Sequence, residues 1–158
     1  LLGETVSEIY VICNYFKKHY NLPLWLVGYS SAGSVATVAG ALFSNLVNGI
    51  CVGGCIGSFK DTIITRGATA HLEIKDCIKW FEQDALIQLM APRPCIMIAG
   101  DKDHIWPYSG AIIIYEKSKE IYNLYNAKKF LKLIKAIGIH TYYPKLMWDS
   151  INTYIKDS

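Results

Sequence analysis

Between residues 20 and 59 the chain carries no charged side chain at all. A run of that length must be buried, either in a bilayer or in a protein core. The run is not smooth. Pro23, Gly28, Ser30, Ser31, Gly33, Ser34, Gly40, Ser44, Asn45 and Asn48 punctuate it. A membrane helix does not need such punctuation, whereas a strand, turn, helix and strand buried on both faces would read this way. The run is therefore expected to form the centre of an α/β core.

The flanking sequence fits that expectation. Residues 5–20 read as an amphipathic helix with Val6, Ile9, Cys13, Phe16 and Tyr20 on one face, and Thr5 and Glu8 stand at capping-box spacing. Residues 24–29 read as a short buried strand. Residues 31–44 read as a helix whose small side chains would let it lie close to a sheet. Residues 48–55 read as the next strand, and 57–70 as irregular. Residues 71–91 hold one or two helical pieces, with Ile74, Ile78 and Phe81 on one side. A strand follows at 95–99. Pro107 is suited to start a helix that reaches about residue 126, with Ala111, Ile114, Tyr115, Ile121, Tyr122 and Tyr125 facing inward. A strand is expected over 129–137. Pro144 opens a last helix in which Met147, Ile151, Tyr154 and Ile155 share a face. Alternating helices and short apolar strands predict an α/β fold, a three-layer α/β/α sandwich around a mostly parallel sheet.

Composition narrows the function classes. With 158 residues, 52% hydrophobic and 18% charged, the chain has one domain's worth of sequence and is too apolar to be disordered. The net charge of +3 is mild, and only Arg66 and Arg93 are arginines, so nucleic acid is not an expected partner. The lysines over 117–135 read as a solvated face. Five cysteines, with no C-x-x-C among them and no histidine close to Cys51 and Cys55, argue against zinc and for reduced thiols in the cytoplasm. Neither a signal peptide nor a membrane partner is expected.

Three places carry chemistry. Gly28-Tyr29-Ser30-Ser31-Ala32-Gly33 lies between an expected strand and an expected helix. That is the context in which G-x-S-x-G forms a nucleophile elbow, presenting the serine hydroxyl at the carboxyl edge of a sheet. The N–H of Ser31 would then face a developing oxyanion. A Gly/Ser-rich turn of a nucleotide- or phosphate-binding domain reads similarly, although neither G-x-G-x-x-G nor a lysine is present in it. Asp101 and Asp103 both follow the strand at 95–99, and either could orient a histidine. Of the four histidines, His19 ends a helix, His71 opens one, His104 adjoins the candidate acid, and only His140 follows a late strand and precedes the terminal helix. The order serine, acid, histidine is that of α/β-hydrolases.

With these residues in view, the chain resembles the α/β-hydrolase superfamily, and within it the acetyl-xylan-esterase-like and dienelactone-hydrolase-like bacterial hydrolases. The resemblance rests on the Gly28–Gly33 turn, on Ala91-Pro92-Arg93-Pro94 leading into a strand, on Gly100-x-x-Asp103-x-x-x-Pro107, and on His140 after Gly138 with Tyr143-Pro144 following. It selects Asp103 over Asp101. It implies a serine hydrolase cleaving carboxylic esters, with Ser30 as nucleophile, His140 as base, Asp103 as its orienting acid and Ser31 as an oxyanion donor. A small-molecule ester is the implied partner, and no cofactor is implied. Trp106, beside the acid, is a candidate for the substrate pocket or for the core, and Arg93 for a substrate carboxylate or for structure. Ala32 and Ile139 stand where the family usually has glycine. Only one helix and one strand precede Ser30, so residues 1–158 are expected to form a single partial domain lacking the family's first strands, with the strand at 24–29 an exposed edge. An inactive or truncated α/β-hydrolase-like module is the alternative.

Overall fold

A computed structural model describes residues 2–20, 22–60, 62 and 77–155. Among them, β1 (Trp25–Tyr29), β2 (Gly49–Gly53), β3 (Cys95–Gly100) and β4 (Leu131–Ala136) form one parallel sheet in the order β1-β2-β3-β4. The helices α1 (Leu2–His19), α2 (Ser31–Leu42), α3 (Gln83–Gln88), α4 (Tyr108–Leu124) and α5 (Pro144–Ile155) surround it. Strands added in sequence order and joined by right-handed crossovers put their connecting helices on one face. On that face, Cys13 of α1, Ala36 of α2, Ile87 of α3, and Ala111, Ile114 and Tyr122 of α4 pack on Ile50, Val52, Cys95, Met97 and Leu131. On the other face, Met147 and Ile151 of α5 pack on Cys51, Ile96, Ile98 and Ala136. This is the three-layer sandwich, with β1 as an edge.

The inner strands β2 and β3 are buried at every position, which explains their unbroken apolar sequence. Helix α2 lies close to the sheet on its small side chains, burying Gly33, Ser34, Ala36, Thr37, Ala39, Gly40 and Ala41. Cys13, Cys51, Cys55 and Cys95 are buried and unpaired, and burial pushes the Cys51 thiol up to about 12. No described helix is long and apolar enough to cross a membrane.

Several expectations are corrected. Helix α1 starts at Leu2, so Thr5 and Glu8 sit inside it and form no capping box. Phe16, Tyr20, Tyr125 and Ile155 are exposed, and so is Ile78. Phe16, Tyr20, Tyr125 and Ile155 lie in or just past the last turns of their helices, and Ile78 lies in the 3₁₀ turn Cys77–Lys79, where helical periodicity alone does not reveal what lies opposite. The strand expected from residue 129 starts at Leu131, because Lys128–Phe130 forms a 3₁₀ turn. The stretch expected to be irregular over 57–70 lies mostly outside the described residues, although Phe59, Lys60 and Thr62 are helical. His71 and Ile74 lie outside the described residues.

Candidate active site

Strands β1, β3 and β4 each end in a loop that delivers one polar group to the carboxyl edge of the sheet. After β1 the chain turns sharply at Ser30, whose φ of 54° and ψ of −123° are unusual for a residue with a side chain. The turn is held on both sides. The Ser30 N–H donates to the Gly53 carbonyl at 2.8 Å, and the Ser30 carbonyl accepts from the Ser34 N–H at 3.0 Å. A Cβ on Gly28 would collide with the Ala32 carbonyl oxygen, and one on Gly33 would stand 2.6 Å from Cys55 Sγ. The close approaches thus fall at Gly28 and Gly33. Ala32 is exposed, so its methyl group meets no such barrier.

After β3, Asp103 is buried at 5% exposure in a tight turn. Its Oδ1 accepts from the N–H groups of Ile105 at 2.7 Å and Trp106 at 2.9 Å. These bonds fix the carboxylate plane and leave Oδ2 directed at His140. After β4, His140 Nδ1 lies 2.8 Å from Asp103 Oδ2, and His140 Nε2 lies 3.1 Å from Ser30 Oγ. Acid, imidazole and hydroxyl therefore form one hydrogen-bonded line drawn from three separate strands.

Asp101 takes a different place. Its Oδ1 accepts from the Gly138 N–H at 2.9 Å, while its own N–H donates to the Ala136 carbonyl at 2.9 Å. Together with the Lys102 N–H to the Gly138 carbonyl at 2.9 Å, these bonds stitch the loop after β3 to the loop carrying His140. Ile139, the other departure from glycine, is exposed and lends its carbonyl to the Tyr143 hydroxyl at 2.7 Å.

The remaining candidates are spread out. Ser31 is the first residue of α2. Trp106 is buried at 4% exposure and lines a crevice of about 80 Å³ with Gly57, Ser58, Thr62, Ile105 and Pro107. Arg93 is far from the line in function: its guanidinium donates to the carbonyls of Gly40, Val47 and Leu89. His19 and His104 are exposed. Another cavity, about 620 Å³, is lined by Trp25, Asn48, Pro94, Phe130 and Tyr154 at the amino ends of the strands, the opposite end of the sheet. Among the described residues, no cluster of three or more His, Cys, Asp or Glu could hold a metal.

Sequence reading did not single out two parts of the neighbourhood. Tyr29 packs against His140, with ring centroids 5.0 Å apart, and its buried hydroxyl has no hydrogen-bond partner among the described residues. Burial, followed by the nearby Asp103 charge, pushes its phenol well above the usual range. Glu82 and Gln83 bind the loop after β2: Glu82 accepts from the Phe59 and Lys60 N–H groups, and Gln83 from the Gly57 N–H. Those partners are more than twenty residues away in sequence, and no local pattern marks them.

No protein-family model matches the sequence, and no curated protein sequence matches it. Solved structures do. The chain is similar to a glucuronoyl esterase from Solibacter usitatus, with a TM-score of 0.74 at 15% identity over 98% of this chain and 48% of that one. It is similar to Est1E from Butyrivibrio proteoclasticus, with a TM-score of 0.69 at 14% identity over 99% of this chain and 70% of that one. It is also similar to an acylaminoacyl peptidase from Pyrococcus horikoshii, with a TM-score of 0.62 at 13% identity over 92% of this chain and 24% of that one. The chain has the α/β-hydrolase fold, and it spans about half the length (48%) of the first of these proteins.

Proposed function

We propose that the chain carries the nucleophile, base and acid of a carboxylic ester hydrolase. The observation that supports this most directly is the line from Ser30 Oγ through His140 to Asp103, at 3.1 and 2.8 Å. Ser30 Oγ attacks the ester carbonyl carbon while its proton passes to His140 Nε2. The carbonyl oxygen becomes an oxyanion, to which the N–H of Ser31 donates at the positive end of α2. As the tetrahedral intermediate collapses, the bond from carbon to the leaving oxygen breaks, and His140 returns the proton to that oxygen. The alcohol departs and an acyl-Ser30 ester remains. Water then adds by the same route, losing its proton to His140, and the free acid and the serine hydroxyl are restored. Asp103 holds the imidazole tautomer and stabilises its cationic form.

The printed name of the Solibacter glucuronoyl esterase supports an ester substrate over a nucleotide. The partner is a small-molecule ester, and the steps above call on no metal or organic cofactor. Trp106, beside the acid loop, lines the substrate pocket in this reading, through the crevice it shares with Gly57 and Ser58. The buried, unpaired thiols suit a reducing compartment such as the cytoplasm.

Turnover of an aryl acetate by the purified chain tests the reading. Release of the phenol is expected, with an acetyl group found on Ser30 by mass spectrometry, and both are expected to vanish in Ser30→Ala. Turnover that survives in Ser30→Ala contradicts it. A second reading, an inactive module of the same fold, predicts no acetyl-Ser30.

A further inference from the structure

Tyr29 is half-buried and packs its ring against the histidine, yet the line from Ser30 to Asp103 gives it no task. Its hydroxyl makes no hydrogen bond among the described residues, so the part of the side chain that meets the site is the ring. That ring lies 5.0 Å from the imidazole, centroid to centroid, at an interplanar angle of 45°. Tyr142 also packs on it, edge-on, with ring centroids 6.1 Å apart. The third wall is Gly54, at a φ of +60°. A Cβ there would stand 2.5 Å from Tyr29 Cε2 and 3.0 Å from His140 Cε1, so a side chain at this position would force the two rings apart. The positive φ and the lack of a side chain together keep the contact closed.

An aromatic face within about 6 Å of a cation attracts it through the ring quadrupole. The imidazole carries a positive charge only after it has taken the serine proton. We infer that Tyr29 is a positioning residue whose ring, kept in contact by Gly54, favours the cationic form of His140 in the transition state. The inference rests on the reading of Ser30, His140 and Asp103 as a triad. Because the charge is absent in the ground state, the ring accelerates chemistry and leaves substrate binding alone.

The test measures the rate at which a fluorophosphonate labels Ser30 in the full chain. In that step the Ser30 oxygen–phosphorus bond forms, the phosphorus–fluorine bond breaks, fluoride leaves, and the serine proton goes to His140. Tyr29→Leu is expected to label about tenfold more slowly than the wild type, and Tyr29→Phe to recover most of that loss. Tyr29→Phe made with 4-fluoro- and then 3,5-difluorophenylalanine is expected to slow in steps, because fluorine withdraws charge from the ring face at nearly constant shape. Thermal melting is expected to stay level across the fluorinated set. With an aryl acetate the same variants are expected to lower kcat and leave KM. A flat rate across the fluorinated set, or Tyr29→Leu labelling as fast as the wild type, overturns the inference alone. A wild-type chain that does not label at Ser30 overturns the triad reading and this inference with it.

Discussion

Ser30 sits in a backbone region that costs a residue with a side chain about 1–3 kcal/mol, and the surrounding turn must supply that energy. It does so through the Ser30 N–H bond to Gly53, the Ser34 N–H bond to the Ser30 carbonyl, and the room left by Gly28 and Gly33. The two aspartates after β3 place their carboxylates differently. Asp103 points Oδ2 at the imidazole, and Asp101 spends its carboxylate on a backbone N–H. Asp103→Asn keeps an oxygen for the Ile105 and Trp106 N–H groups but offers an amide to His140 Nδ1, which favours the wrong tautomer. Aryl-acetate turnover is expected to fall about 10³–10⁴-fold while thermal melting stays within a few degrees. Asp101→Asn is expected to lose far less. A reversed order in turnover assays would move the orienting role to Asp101.

At the scale of elements, the loops hold because one cation gathers three chain ends. The Arg93 guanidinium donates to carbonyls at the end of α2, before β2 and after α3, and burial holds its pKa below the ordinary arginine value. Arg93→Met leaves the Gly40, Val47 and Leu89 carbonyls without this donor. The expected cost is roughly 2–3 kcal/mol in urea unfolding. A change under about 0.5 kcal/mol would show that solvent replaces those bonds without loss. The alternating pattern of elements was legible because β2 and β3 are buried on both faces and read as plain apolar runs. The order of Ser30, Asp103 and His140 was legible because each follows a separate strand. Less could be read where partners are remote. The Tyr29–His140 contact spans more than a hundred residues of sequence, and the Gln83 bond to Gly57 folds the single crossover between β2 and β3 back on itself. Helix limits were misjudged at α1 because Thr5 and Glu8 match a capping pattern inside a helix that starts at Leu2.

At the scale of the molecule, four parallel strands carry a complete line of acid, imidazole and hydroxyl on a chain that spans about half (48%) of a similar esterase. The three groups need only β1, β3 and β4, with β2 between them as the spacer that sets their separation. The account therefore rests on one claim: these strands by themselves assemble a serine made nucleophilic by its histidine. Fluorophosphonate labelling followed by intact-mass and peptide mapping tests that claim most directly. The account predicts one adduct on Ser30 in the wild type, none in Ser30→Ala, and at most a trace in His140→Ala. An adduct that maps to another residue, or labelling of Ser30 at full rate in His140→Ala, would contradict it.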